Sequence, residues 1–291
     1  MKIMGSKALA ATAARFLLSA IWFGAPSTAA AANGTVTLNF NSLPSAQGWT
    51  YLGDGVSETS VFWVSGGVLH QSSIGVGGRA PLYTLFGDLA PVRFTLSIRA
   101  RVLEEEWPSS GNAYGFDFGA TIDNEQFEIG LGVGRLLMST GVGTLAISID
   151  TATFHNYRLE AIPGVGYDVF VDDVLVASGP PFCFSCFGVE VPDRLFLGDG
   201  TQGQNAQAEV TSYTFTQWVA VSIDIKPGSY PNSINLGSGG TVPVAIFSTP
   251  TFDARTVDPT SVTLAGAGVA LKGKGTPMAS VQDVNGDGLP D

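Results

Sequence analysis

From Val36 to Gln217 apolar and polar residues alternate in short runs, and no long stretch repeats at helical spacing. VRFTLSIRARV from Val92, FEIGLGV from Phe127 and YDVFVDDVLVAS from Tyr167 are the clearest cases. Alternation at period two puts every second side chain on one face, which is a strand with one buried side. Gly, Asn, Asp and Pro break the runs. Asp172-Asp173 is a turn-type pair that predicts a tight hairpin, and a second turn is expected at Asp123 to Glu125. Many short strands with turns between them predict an all-β fold, a jelly-roll β-sandwich.

The pattern changes at Trp218 to Ser222, which reads as a linker. Beyond it Pro227, Pro231, Pro243, Pro250 and Pro259 leave room only for short strands. The expected organisation is a sandwich over 33–217, a linker over 218–222 and a smaller β-rich module over 223–291. The abrupt stop at Asp291 implies that further strands follow.

The first 32 residues carry Lys2, Lys7 and Arg15, then an apolar run from Phe16 to Phe23, then small residues from Ala25 to Ala32. Charge, apolar run and small residues in that order make a secretory signal. A membrane-spanning helix needs about 20 apolar residues, and Gly24, Pro26 and Ser27 end this run too early. Residues 1–32 are therefore expected to be cleaved near Ala30 or Ala32, leaving a secreted or cell-surface protein without a membrane span. The chain has 14 basic and 25 acidic residues, and loss of the three basic ones in the signal leaves 11 against 25, a net charge of −14. Such a surface repels phosphate backbones and excludes nucleic acid as a partner class.

Cys183 and Cys186 stand in PPFCFSCFG. With no second Cys pair and only His70 and His155 as nitrogen ligands, a local disulfide is favoured over metal or redox roles in an oxidising compartment.

The order FHNYRLEA, YDVFVDDVLVAS, LFLGDGTQGQNAQAEVTSYTF, with Gly48-Trp49 and FWVSGGVLHQSS near the start, resembles a concanavalin A-like lectin/glucanase domain of the laminin G-like kind. The resemblance covers Thr35 to Gln217 and implies a sandwich, with Tyr157 and Leu159 alternating inward. IDIKPGSYPNSINL, then PVAI, then DVNGDG resembles an accessory module of exported bacterial proteins, over nearly all of Ile223 to Asp291. It implies a β-rich module and no particular activity.

The chain ends DVNGDGLPD. Acids and amides at every second position with Gly at the sixth suit a hard cation that needs several oxygens around one point. Ca2+ is expected on Asp283, Asn285, Asp287, the Leu289 carbonyl and Asp291. The loop lacks the bidentate acid near its twelfth position, and flanking helices are not expected. A solvated Asp/Asn/Gly turn is the alternative.

An enzyme of the resembled superfamily would need two carboxylates flanking a sugar bond. The Glu-x-Asp-x-x-Glu string of its glucanases is missing. Its nearest counterpart, Asp123 to Glu128, falls on a turn that wants Asp and Asn for backbone reasons. Glu104-Glu105-Glu106 reads as a solvated loop, His70 as the end of a strand and His155 as a structural residue. No catalytic residues are assigned. Trp49, Trp63, Trp107 and Tyr114 are aromatics that could stack on sugar rings; most are expected in the core, with Trp107 the best candidate for exposure. The expected function is a secreted, non-catalytic binding protein for an extracellular glycan or surface ligand. A divergent glycoside hydrolase and a structural or adhesion segment are the alternatives.

Overall fold

The computed structural model describes residues 27–291 except 54, 78–79, 88, 107–113, 202–203, 236–238 and 251, with backbone alone for 27–33. The charged and apolar parts of the signal-like segment, and Trp107, lie outside the described residues. The strands in chain order are β1 (Ser27–Leu38), β2 (Thr50–Leu52), β3 (Phe62–Ser65), β4 (Val68–Ser72), β5 (Leu82–Phe86) and β6 (Arg93–Glu106). Next come β7 (Phe116–Ile122), β8 (Glu125–Gly132), β9 (Arg135–Thr140), β10 (Gly143–Ser148), β11 (His155–Ile162), β12 (Gly166–Val171) and β13 (Val174–Gly179). The last are β14 (Phe182–Cys183), β15 (Arg194–Gly198), β16 (Asn205–Ile225), β17 (Val244–Ile246), β18 (Thr263–Leu264) and β19 (Ala267–Gly268). Among the described residues no helix is long and apolar enough to cross a membrane.

The chain divides into two compact units, one of Ala30–Ala220 and one that holds Val221–Asp291. The first is an all-β sandwich. One sheet runs β13-β12-β11-β6-β16-β4-β3, with β1 on β16; the other runs β10-β9-β8-β7-β15-β5-β2, with β14 on β8. Both sheets are antiparallel, and the inward positions of each meet in one core. Phe94, Leu96 and Ile98 of β6 and Tyr157 and Leu159 of β11 face Phe116, Phe118, Phe127 and Ile129 of the second sheet, all at most 1 % exposed. The hairpin turns fall where expected. Asp123 and Asn124 (φ 51° and 64°) and Asp172 and Asp173 (φ 47° and 66°) take the left-handed backbone that two-residue turns require.

Two local expectations are corrected. Residues 218–222 are extended and belong to β16, because Trp218 is held under the Arg93 guanidinium at 4.2 Å and Val221 is buried. Glu104-Glu105-Glu106 end β6 rather than forming a solvated loop. Glu105 pairs with Arg135 at 2.5 Å and accepts the Val133 N–H, while Glu106 accepts the Gly75 N–H at 2.6 Å.

The second unit holds only short strands, in line with its prolines. β17 pairs with Ile223–Ile225 of β16, and β18 with β19. Asp253 and Asp258 each cap a 3-10 turn by accepting a backbone N–H two residues on. Val221, Ile223, Ala245 and Phe252 are its buried apolar residues.

Candidate functional site

The second sheet buries both of its faces. Inward are the core phenylalanines; outward, Tyr114, Leu137 and Phe196 form a second buried layer separate from the main core. Glycines make room for it. A Cβ added at Gly130 would run into the Tyr114 ring, and one added at Gly119 into Phe196 and the Phe127 carbonyl. Beneath this layer lie three carboxyl groups, Asp117 (2 % exposed), Glu128 (5 %) and Asp199 (0 %). Asp117 and Glu128 lie diagonally on the outward face of neighbouring strands, Asp117 opposite Gly130 and Glu128 opposite Gly119, and the Tyr114 ring lies against Gly130. The Gly200 N–H reaches Asp117, while Ser73 and Thr201 hold Asp199. No ion pair among the described residues includes these acids; Arg135 on the same face is paired with Glu105.

Burial, then the nearby Glu128 and Asp199, hold Asp117 well above the usual carboxylate range, and burial pushes Asp199 up to about 8. Two carboxyls that cleave a glycoside stand roughly 5 to 9.5 Å apart with the sugar between them. Asp117 and Glu128 are closed to solvent, so in this arrangement they do not flank a substrate. Glu125 and Glu128, the acids at the string nearest the glucanase motif, lie on opposite faces of β8, three residues apart on a strand. Glu125 accepts the Gly164 N–H at 2.7 Å.

An open groove of the sandwich lies at the disulfide loop. Cys183 and Cys186 are bonded, closing a loop between β14 and a 3-10 turn, Ser185–Phe187. The loop docks on the β7–β8 hairpin: Phe182 and Cys183 pair with Gln126 and Glu125, and Phe184 N–H donates to the Asn124 carbonyl. This fixes three phenylalanines. Phe187 stacks nearly parallel on Phe182 (5.5 Å, 8°), and Phe184 meets Phe182 edge-on. Phe187 is 70 % exposed, as are Val165 (72 %) and Val142 (93 %) at two neighbouring turns. Together with Glu125, Pro180 and the disulfide they line a groove of about 370 Å³. It continues past Phe187 to Thr140, Ser139 and Thr144, the last two adding hydroxyls. The sequence reading had not singled out this site; Phe at three of six positions around a Cys pair was its signal.

The other expected residues fall elsewhere. Trp49 and Tyr114 are buried; Trp63 is 41 % exposed and stacks on His70 (5.1 Å, 3°). His70 lies inside β4, not at its end, and contacts Glu209 at 3.2 Å. His155 is structural, as expected: its Nδ1 meets Asp172 at 2.6 Å and ties β11 to the β12–β13 turn. The acidic loop of the second unit folds on itself. Asp283 accepts the N–H groups of Gly286 and Gly288, Asn285 that of Asp287, and Asp287 that of Leu289. Asp291 ties the end of the loop back to its start and to Ser248. Its carboxylate accepts the N–H groups of Ser248 (2.8 Å) and Val284 (3.0 Å), and its backbone pairs with Gln282. Among the described residues no group of three His, Cys, Asp or Glu side chains is placed to hold a metal ion.

No protein-family model matches the chain, and none of the curated proteins matches it. Several solved structures are similar to it. An endo-1,3-beta-glucanase from Streptomyces sioyaensis aligns with a TM-score of 0.44 at 12 % identity, over 64 % of this chain and 97 % of that one. The exoplasmic/lumenal domain of VIP36, bound to Ca2+ and Man3GlcNAc, aligns at 0.41 and 7 %, over 62 % and 87 %. A carbohydrate esterase from the Shiga toxin-encoding bacteriophage phi24B aligns at 0.42 and 14 %, over 62 % and 99 %. At these scores the likenesses carry nothing about ligand or chemistry.

Proposed function

We propose that the protein is exported and that its sandwich is a non-catalytic binding module for an extracellular glycan, held in the groove at the disulfide loop. The observation that carries this reading is the Phe182–Phe187 stack, preformed and exposed beside Glu125. An aromatic face against the C–H face of a sugar removes apolar surface from water, and a ring locked by a disulfide loses little freedom on binding. Glu125 and the hydroxyls of Ser139 and Thr144 supply polar partners at the rim. The absence of cleavage is supported by the burial of Asp117 and Glu128.

Incubation of the chain with neutral polysaccharides, β-glucans among them, tests the reading. Binding without released reducing ends, at least about tenfold weaker in Phe187→Ala, is the expected result. Release of reducing ends that ceases in Glu128→Gln would establish the hydrolase instead.

Ca2+ at the loop of the second unit is the other part of the proposal. Asp283, Asn285, Asp287, the Leu289 carbonyl and Asp291 are the donors it would use; Asp291 also accepts the N–H groups of Ser248 and Val284. The carboxylate of Asp283 already faces two N–H groups of its own loop, which suits a turn as well as a ligand. Calorimetry with Ca2+ decides: binding lost in the double variant Asp283→Ala, Asp287→Ala supports the site, and equal binding leaves a turn.

A further inference from the structure

We infer that the groove at the disulfide loop prefers sugars that carry a positively charged amine. The inference rests on the glycan reading above and names the class of sugar. Two chemistries meet a ligand there, a carboxylate and an aromatic face. Glu125 is the one charged side chain among the residues that line the groove, and no Lys or Arg lines it. Among the described residues no ion pair includes Glu125.

The fold holds this carboxylate in place without neutralising it. Glu125 opens β8 and stands opposite Cys183 of β14, so strand pairing sets it beside the disulfide. Its side chain accepts the Gly164 N–H at 2.7 Å, from the turn that also carries Val165. A carboxylate has about four acceptor sites, so this bond orients the group and leaves capacity for a ligand. The surroundings add charge of the same sign. Asn124 donates to Glu190 at 2.7 Å, and Glu190 is likewise in no ion pair among the described residues. Between Ser139 and Glu190 the chain has one Lys or Arg, and that residue, Arg158, is paired with Glu160 and Asp173 on the other sheet.

The rest of the lining strengthens the attraction for a cation. Val142, Val165, Pro180 and Pro181 are apolar, and a charge pair beside apolar groups is screened less than one in water. Phe187 lies with one face on Phe182 while its ring is 70 % exposed, and the face of an aromatic ring attracts an ammonium group. One carboxylate is too few for a hard metal ion, which needs several oxygens around one point. A lysine side chain would bring the same charge without hydroxyls. Ser139 and Thr144, where the groove continues past Phe187, offer partners for the hydroxyls of a sugar. Charge, ring and hydroxyls together fit an amino sugar.

The test is calorimetric titration of the full chain at mildly acid pH with three β-1,4-linked trisaccharides: of glucosamine, of N-acetylglucosamine and of glucose. The glucosamine trisaccharide binds about tenfold more tightly than the other two. Glu125→Gln, which keeps an acceptor for the Gly164 N–H, removes that preference and leaves binding of the neutral sugars unchanged. Asp168→Asn, which removes the same charge from the first sheet, keeps the preference, and circular dichroism confirms that each variant is folded. Equal affinity for the three sugars overturns the inference while the glycan reading stands. A preference that persists in Glu125→Gln also overturns it, by assigning the attraction to the acidic surface at large. A lysine-rich peptide that binds more tightly than the glucosamine trisaccharide overturns it in favour of a protein partner. No binding of any of the three sugars overturns both this inference and the reading on which it rests.

Discussion

On the first sheet the outward guanidiniums of Arg101 and Arg158 are 33 % and 26 % exposed and meet Glu209 and Glu160; on the second the carboxyls of Asp117 and Glu128 are only 2 % and 5 % exposed. The two faces began alike, as the polar half of an alternating strand. They diverge at their small residues. Gly119 and Gly130 let Phe196 and Tyr114 lie flat on the second sheet, and a second layer closes over the acids. Thr95, Ser97 and the arginines of β6 leave no such bed. One sheet meets solvent with paired charges, while the other holds Asp117 where burial keeps it protonated well above the usual carboxylate range.

The largest expected effect compares one residue type on the two faces. Phe196→Ala, in the buried second layer, is expected to cost about 3–5 kcal/mol in denaturant unfolding, against about 1 kcal/mol for Phe154→Ala, which loses contact with two surface arginines. Equal costs would mean that the second layer is not closed.

The next concerns pH. Asp199 titrates near 8 when folded and at 3.8 as its ordinary value. The native state therefore holds more protons than the unfolded chain across that window, and stability falls as pH rises from about 4 to 8. Asp117 adds in the same direction. The combined effect is of the order of a few kcal/mol, read as a falling urea midpoint. Asp117→Asn and Asp199→Asn should flatten the fall; a midpoint that rises with pH would contradict the account.

Smaller again is the disulfide. Cys183 and Cys186 close a loop of few residues, so Cys183→Ser with Cys186→Ser should cost stability at the low end of ~0–5 kcal/mol. The same variant should weaken binding at the groove by more than it weakens the fold, because Phe187 loses its anchor. The smallest effect is at Asp172, whose carboxylate is held below its ordinary range first by the Asn156 N–H and then by His155. Its contribution is present above about pH 4 and lost as pH falls through its folded value, and solvent screening keeps it below about 1 kcal/mol. Asp172→Asn, compared with wild type by thermal melting at neutral and strongly acid pH, should show its cost only at the former.

Strands were legible wherever one side of the sheet met water. Alternation in VRFTLSIRARV predicts β6, and the Asp-Asn and Asp-Asp pairs predict both turns, since few residues other than Gly accept φ near +50°. The closed face was not legible. In FDFGATI the outward Asp117 has the same pattern as any solvated acid, and only the glycines at outward positions of β7 and β8 hint that something lies against them. Glu104 to Glu106 were misread for a related reason: pairing with Arg135 from another strand cannot be seen in a run of like charges. The groove escaped notice because it is assembled from turns far apart in sequence, at 142, 165 and 187. The reading of residues 218–222 as a linker followed composition, while the backbone there is held at Trp218 by Arg93 and Val92 and at Ser222 by Phe247.

The central claim is that burial holds Asp117 and Asp199 in the protonated form well above the usual carboxylate range. Infrared spectroscopy of the chain at neutral pH in D2O tests it most directly. The account predicts an absorption of protonated carboxyl groups that weakens in Asp117→Asn and disappears in Asp117→Asn with Asp199→Asn. A spectrum of ionised carboxylates alone, unchanged by these substitutions, would contradict it.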